Sequence, residues 1–139
     1  MLPAKELGKV ISVRATGIVL ILLLSGCGGE RTYHIAGTVT FMGKPVPAGQ
    51  IVFEPADGNK GGPAFAKIKD GHFDTREEGR GTIGGPHNVM IHGRDGIPRG
   101  ELLSGLPLFR DYSGKVDLPK KNGEQNFEVP AELAIKSGS

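Results

Sequence analysis

The chain of 139 residues contains few cysteines and few aromatic residues. It contains one cysteine, no tryptophan, two tyrosines and six phenylalanines. A single thiol cannot form an intramolecular disulfide, and no apolar stripe of period 3.6 is long enough for a helix of three turns. The sequence therefore predicts neither a disulfide-stapled fold nor a helical bundle.

The longest apolar run is too short to span a bilayer. Counted generously, it covers residues 15–26, whereas an unbroken transmembrane helix needs about 18 residues or more. It follows a basic leader that contains Lys5, Lys9 and Arg14. A basic stretch, an apolar run and then small residues are typical of a secretory signal peptide, which we predict for residues 1–26.

The single cysteine, Cys27, lies directly after this run. The residues before it, Leu24, Ser25 and Gly26, resemble the bacterial lipobox, in which a dedicated peptidase cuts before an acylated cysteine. Several acyl chains on one residue give stable anchoring, because each buried methylene contributes about 0.8 kcal/mol. We therefore expect an exported lipoprotein held in a membrane through Cys27. Gly28 is not an aspartate, which by resemblance to enterobacterial sorting rules favours the outer membrane or the cell surface.

Neither sign of charge dominates once this leader is removed. Three of the 17 Lys and Arg and one of the 15 Asp and Glu precede Cys27, so 14 of each remain. No basic patch with interleaved aromatic residues remains, and we expect no nucleic-acid partner. The expected partners are the membrane, through acylated Cys27, and an unidentified protein or glycan of the cell envelope.

Glycine and proline are abundant, with 23 and 10 copies, and they separate short runs in which apolar and polar residues alternate. This pattern predicts an all-β sandwich. The residues that we expect to face its core are Val39, Ile51, Phe53, Phe73, Val89 and Phe127. The predicted organisation is a tether over residues 27–32, one domain over residues 33–130 and a frayed tail over residues 131–139.

Several segments resemble a known family. They are GTVT, GKPVP and GQIVFEP within residues 37–55, DGHF at 70–73, GGPHNVMI at 84–91 and the last segment, 109–129. They are similar to segments of small bacterial lipoproteins with carboxypeptidase regulatory-like, or transthyretin-like, domains. The resemblance implies a single Greek-key, prealbumin-like β-sandwich. Its motifs are structural, so it implies a non-enzymatic structural or interaction module.

One branch of the transthyretin-like fold, the hydroxyisourate hydrolases, is enzymatic. Those enzymes use histidines, an arginine and a C-terminal Tyr-Arg-Gly-Ser sequence. This chain has Lys-Ser-Gly-Ser at residues 136–139 and lacks the tyrosine and the arginine there. We therefore expect no enzymatic activity, no catalytic residue and no cofactor.

Metal binding is a further hypothesis, for which the candidate ligands are His72, His87, His92, Asp57, Asp70 and Asp74. His87 and His92 are five residues apart on one predicted strand, so their side chains point to opposite faces. We expect no metal site on this ground. In this interpretation His87 is a partly buried residue at a sheet edge, and His72 and His92 are solvated.

Two features leave a binding function open. The first is a platform for a carbohydrate or a peptide, formed by some of Tyr33, Phe65, Phe109 and Tyr112, which fall outside the expected core. The second is the segment 93–107, which is longer than most sandwich loops and carries Leu102, Leu103 and Leu106. We expect these leucines to seal the open end of the sandwich, and the alternative is that they contact a partner.

The anchoring hypothesis depends on the thiol. The substitution Cys27→Ser should abolish incorporation of radiolabelled fatty acid and leave the chain unprocessed or released, because the lipobox peptidase acts on the acylated cysteine. Labelling of the variant at the level of the parent protein would contradict lipidation at this residue.

Overall fold

A computed structural model of the protein describes residues 30–136. The predicted signal peptide and Leu24, Ser25, Gly26 and Cys27 lie outside this range. The described chain is all-β, as predicted, with two short 3₁₀ turns and no α-helix among residues 30–136. No helix of this part of the chain is both long enough and apolar enough to cross a membrane.

Nine strands form within residues 30–136. They are β1 (Ile35–Phe41), β2 (Lys44–Pro45), β3 (Ala48–Pro55), β4 (Ala64–Lys69), β5 (His72–Asp74), β6 (Gly85–Arg94), β7 (Tyr112–Leu118), β8 (Gly123–Glu124) and β9 (Phe127–Val129). The two 3₁₀ turns are Thr75–Glu78 and Ala131–Leu133.

The strands make one curled sheet that is mostly antiparallel. From β1 the order runs through β5, β4, β3 and β6 to β7, and each neighbouring pair is antiparallel. The short strand β2 is also antiparallel to β1, whereas β8 and β9 pair with β1 in parallel. The last strands of the chain therefore lie beside the first one.

Two tight turns set the hairpins. Met42 and Gly43 have φ of 50° and 76°, and Asp70 and Gly71 have φ of 50° and 78°. Left-handed conformations at both central residues are those of the two-residue hairpin turns that suit the twist of a sheet. The first turn is confined to Met42 and Gly43, because Lys44 and Pro45 already pair with β1.

The core lies on the inward face of the curled sheet. Val39, Ile51, Phe53, Phe73 and Val89 are buried, as predicted, and Phe127 is half-buried and packs against them. Three rings meet at the centre: that of Phe53 lies 5.9 Å from Phe73 and 6.0 Å from Phe127, measured between centroids. Sequence alternation therefore identified the inward faces of these strands correctly.

Phe109 belongs to the core, although it was expected outside it. It is only 1% exposed, and its ring centroid lies 4.9 Å from that of Phe41. Gly93 makes room for it, because a Cβ on that residue would collide with the ring of Phe109. Phe109 belongs to no strand, so no alternation could assign it to the core.

The tail was predicted to fray from Ala131 onwards, and this is wrong for its first residues. The main-chain N–H of Arg110 donates to the carbonyl of Leu133 at 2.8 Å, and Phe109 forms a β-bridge with Ala134. These contacts join the segment before β7 to the segment after β9. They bring the two sides of the curled sheet together, whereas residues 137–139 lie outside the described range.

The core assignment leads to a stability test. Phe53 is fully buried, so Phe53→Ala should lower the free energy of unfolding by about 3–5 kcal/mol. Phe65→Ala is the matched control, because Phe65 points to the opposite face of the sheet and is 36% exposed. It should cost far less, since the ring already contacts water. Chemical denaturation of both variants checks the prediction, and equal losses would contradict the assigned faces.

Candidate functional site

The directions of the strands define two ends of the domain. We call apical the end at which β6 finishes, at Arg94, and where its antiparallel neighbours β3 and β7 begin. The chain enters the domain at the other end. There, Tyr33 and Thr82 exchange two main-chain hydrogen bonds of 2.7 Å, shortly before β6 begins.

The segment 95–107 extends β6 beyond the sheet as an ordered hairpin, which we call the apical hairpin. The N–H of Asp95 donates to the carbonyl of Leu106 at 2.9 Å, and that of Gly96 to the carbonyl of Ser104 at 3.0 Å. Nearer the tip, Arg99 and Leu102 exchange hydrogen bonds of 3.0 and 3.1 Å. Main-chain pairing therefore orders this segment, although its sequence shows no alternation.

Asp95 holds the base of the apical hairpin together. Its carboxylate accepts hydrogen bonds from the N–H of Ile97 at 2.9 Å and of Leu106 at 3.2 Å, and it pairs with the guanidinium of Arg99 at 2.9 Å. The hydrogen bond from Ile97, with those from Arg99 and Leu106, lowers the pKa of Asp95 below its ordinary value of 3.8. The charged form of this side chain is thus the form that orders the hairpin.

Exposed apolar side chains are concentrated at the apical end. Seven large apolar residues are exposed in the described range: Met42, Phe65, Ile97, Leu102, Leu103, Leu106 and Ile135. Four of them lie in the apical hairpin, one lies at the turn between β1 and β2, and Ile135 follows the bridge to Phe109. We call these six, all but Phe65, the apical apolar surface. A concavity of about 320 Å³ adjoins it, lined by Phe41, Met42, Lys44, Pro45, Pro47 and Leu108.

The expectation that the three leucines seal the sandwich is wrong. Leu102, Leu103 and Leu106 are 47%, 77% and 44% exposed, so water and not the core surrounds much of each side chain. The paired hairpin carries them away from the sheet, and Phe109 instead fills the space below Gly93. Contact of these leucines with a partner remains a prediction.

The outward face of β4, β3 and β6 forms a second surface with three cross-strand rows. The first row is apolar and contains Phe65, Val52 and Met90. The second contains Lys67, Gln50 and His92, and the third contains Lys69, Ala48 and Arg94. The second and third rows line a shallow cavity of about 600 Å³, to which Ser104 of the apical hairpin also contributes. We call this cavity the basic concavity.

The basic concavity is not among the sites predicted from the sequence. The signal was present, because Lys67 and Lys69, and likewise His92 and Arg94, are two residues apart and so share one face of their strand. What the sequence could not show is that β3 lies between these two strands. Only the register of β3 places Lys67 opposite His92 and Lys69 opposite Arg94.

The histidines differ from expectation in two of three cases. His87 is buried on β6, which lies between β3 and β7, so it is not an edge residue. Its Nδ1 lies 2.9 Å from the carbonyl oxygen of Gly85, which can only accept, so Nδ1 carries a proton. His92 is half-exposed, and its Nδ1 lies 2.7 Å from the carboxylate of Asp111. His72 is exposed, as predicted.

The candidate metal ligands and the aromatic platform do not assemble. Between residues 30 and 136, no group of three or more His, Cys, Asp or Glu side chains is arranged to hold a metal ion. Of the aromatic candidates Phe109 is core, Tyr33 and Tyr112 are half-buried, and Tyr33 lies at the end where the chain enters. Phe65 alone is exposed on a sheet face.

No protein-family model and no curated protein sequence matches the chain. A solved structure that aligns with it is a DUF3823 family protein from Parabacteroides merdae ATCC 43184, with a TM-score of 0.44 and 19% sequence identity. The alignment covers 73% of this chain and 47% of that protein, so the chain spans about half the length of the structure that it matches. A likeness at this level assigns no family to the chain.

The role of Asp95 can be tested by pH. A lowered pKa means that the carboxylate contributes order above its ordinary value near 3.8, and that this contribution is lost as the pH falls through the lower folded-state pKa. The amide resonances of Ile97 and Leu106 should therefore shift towards disordered values below about pH 4, while those of the core strands stay unchanged.

The substitution Asp95→Ala should produce the same local change at neutral pH without unfolding the core. Glu101→Ala in the same hairpin is the matched control, since Glu101 is exposed and forms no ion pair among the described residues. Its hairpin amides should keep their positions in ¹H–¹⁵N spectra. An ordered hairpin in the Asp95→Ala variant would show that pairing of the main chain alone is sufficient.

Proposed function

We propose that this protein is a lipid-anchored, non-enzymatic interaction module of the cell envelope, and that another envelope protein docks on its apical apolar surface. The observation that carries the proposal is the position of the exposed apolar residues. Six of the seven that are exposed in the described range lie at one end of the domain. Clustered apolar residues on a domain surface usually mark a place that something else covers.

The proposed architecture is a transthyretin-like β-sandwich. The curled sheet supports this finer description, because the bridge between Phe109 and Ala134 brings its two sides together around one core. The segments GTVT, GKPVP and DGHF, which resemble those of carboxypeptidase regulatory-like lipoproteins, fall on β1, β2 and β5 and the turns beside them. Domains of that kind serve as accessory modules, which agrees with an interaction role.

Anchoring through Cys27 favours a protein partner over the anchoring membrane. Five residues separate Cys27 from Tyr33, and an extended residue spans at most about 3.6 Å, so the tether would reach about 20 Å. Tyr33 lies at the end opposite the apical hairpin. Along the chain, the proposed anchor therefore precedes the end of the domain that lies opposite the apical apolar surface.

Order in the apical hairpin also supports docking. A side chain on a flexible loop loses conformational freedom on binding, whereas one on a preformed element loses less. Asp95 and the main-chain pairs fix the hairpin before any partner arrives. Leu103, which is 77% exposed, is held near its tip and is the most accessible of the three leucines.

Site-specific photo-crosslinking in intact cells tests the proposal. A benzophenone amino acid at position 103 should yield a crosslinked product with another envelope protein. The same group at Lys60, which is exposed in the loop between β3 and β4 at the opposite end, is the control and should not yield it. Crosslinks to lipid alone, to a second copy of this chain, or equally from both positions would contradict docking of a different protein at the apical end.

Replacement of Leu102, Leu103 and Leu106 by Ser gives an independent check. All three are exposed, so the melting temperature should change by no more than about 4 °C. With the benzophenone at Glu101, which is exposed in the same hairpin, the parent chain should give the crosslink and the triple variant should not. A large loss of stability would instead mean that the leucines support the fold.

A further inference from the structure

We propose that the basic concavity, together with the apolar row beside it, binds an acidic oligosaccharide. In this arrangement a carboxylate or other anionic substituent lies between Lys69 and Arg94, and a sugar ring packs on Phe65. This site lies on a sheet face and goes beyond the proposed docking at the apical end.

The third cross-strand row provides the anion site. Ala48 pairs with Lys69 on one side and with Arg94 on the other. Neighbouring strands are about 4.8 Å apart, so the two cationic residues stand about 10 Å from each other across a methyl group. Two long cationic side chains over a small residue leave space for one anionic group that contacts both of them.

The cationic groups of this row keep most of their donors available. Among the described residues, neither Lys69 nor Arg94 has a carboxylate within ion-pair distance. The guanidinium of Arg94 donates one hydrogen bond, to the carbonyl of Gly105 at 3.1 Å. Four further N–H groups remain on it, in the planar arrangement that suits a carboxylate.

The second row adds polar groups and sets the limits of the site. Gln50 offers an amide at its centre, and Lys67 and His92 flank it. Lys67 pairs loosely with Glu78 at 3.8 Å, and His92 pairs with Asp111 at 2.7 Å. Each of these carboxylates pairs with a side chain of the second row, whereas the third row has no such partner among the described residues, so the third row is where the concavity favours an anionic substituent.

The apolar row favours a sugar over a peptide or a nucleic acid. Phe65, Val52 and Met90 give a narrow apolar strip with one exposed ring, on which the apolar face of a pyranose can pack. Phe65 is four residues from Lys69 on the same strand, which corresponds to about 13 Å. A ligand that reaches both must therefore be longer than a single sugar.

The binding of fluorescently labelled short oligogalacturonate to the full-length protein in detergent tests this site by fluorescence anisotropy. The methyl-esterified oligomer is the neutral control, and poly-aspartate is the control for a polyanion that is not a sugar. The acidic oligomer should bind at least about tenfold more tightly than either, since one anionic contact and one stacking contact are both required. Equal binding of either control would overturn the proposal.

Matched variants locate the site. Lys69→Gln with Arg94→Gln should weaken binding of the oligogalacturonate at least about tenfold, and Phe65→Ala should weaken it as well. Lys115→Gln is the control, because Lys115 is exposed on the same outward face, on β7 and opposite Asn88. That variant should bind as the parent does. Loss of affinity in it, or full affinity in the double variant with an unchanged melting temperature, would overturn the assignment.

This outcome is distinguishable from that of apical docking. The crosslink from position 103 should persist in a Lys69→Gln single variant, because this change leaves the hydrogen bond from Arg94 to Gly105 of the apical hairpin in place. Loss of the crosslink together with the sugar would show that the two surfaces form one site, and the inference of a separate glycan site would then be wrong.

Discussion

Main-chain hydrogen bonds along both edges of β1 hold the domain together. One edge pairs with β5 and then with β2, and the other pairs with β8 and then with β9. The second edge is possible because Gly37 has no side chain: a Cβ there would collide with the carbonyl of Gln125. The side chain of Asn126 then accepts a hydrogen bond from the N–H of Thr38 at 3.0 Å, in place of a regular ladder bond. Because β8 and β9 follow β1 by about 88 residues, their pairing with β1 brings the end of the domain's chain back to its beginning.

The apical end depends on this closure. Once β9 lies along β1, the segment that follows it reaches Phe109 and Arg110 and fixes the residues between the apical hairpin and β7. The ring of Phe109 then packs between the ring of Phe41 and the backbone at Gly93. The core therefore anchors the hairpin at its base, and Asp95 orders it above that base. This is how exposed leucines can stand on an ordered element without taking part in the core.

The alternation of apolar and polar residues predicted which face of each strand is inward. It did not predict which strands and loops lie next to one another. The inward faces of β1, β3, β4 and β6 follow from alternation, because the direction of a side chain in a strand is a property of adjacent residues. Alternation places His87 on the inward face of β6 with Val89, but the full burial of His87 and of Phe109 depends on which strands are neighbours, and alternation carries no information about that. The error at Leu102, Leu103 and Leu106 has the same origin. These apolar residues of a long loop were expected to seal the open end of the sandwich, whereas main-chain pairing orders the loop as a hairpin on which they are exposed.

Net charge failed as a guide to the basic concavity for a related reason. With 14 residues of each sign after Cys27, the chain as a whole shows no excess of cationic residues, and the sequence predicts no nucleic-acid partner. Alternation on β4 and β6 nevertheless places cationic residues on one face, while Asp95 is engaged inside the apical hairpin and Asp74 beside Arg76. A ligand responds to the potential at the surface that it meets, and pairing with a nearby arginine offsets the charge of an acidic residue in that potential. A chain with no net charge can therefore present a cationic face where its carboxylates form hydrogen bonds and ion pairs within turns elsewhere.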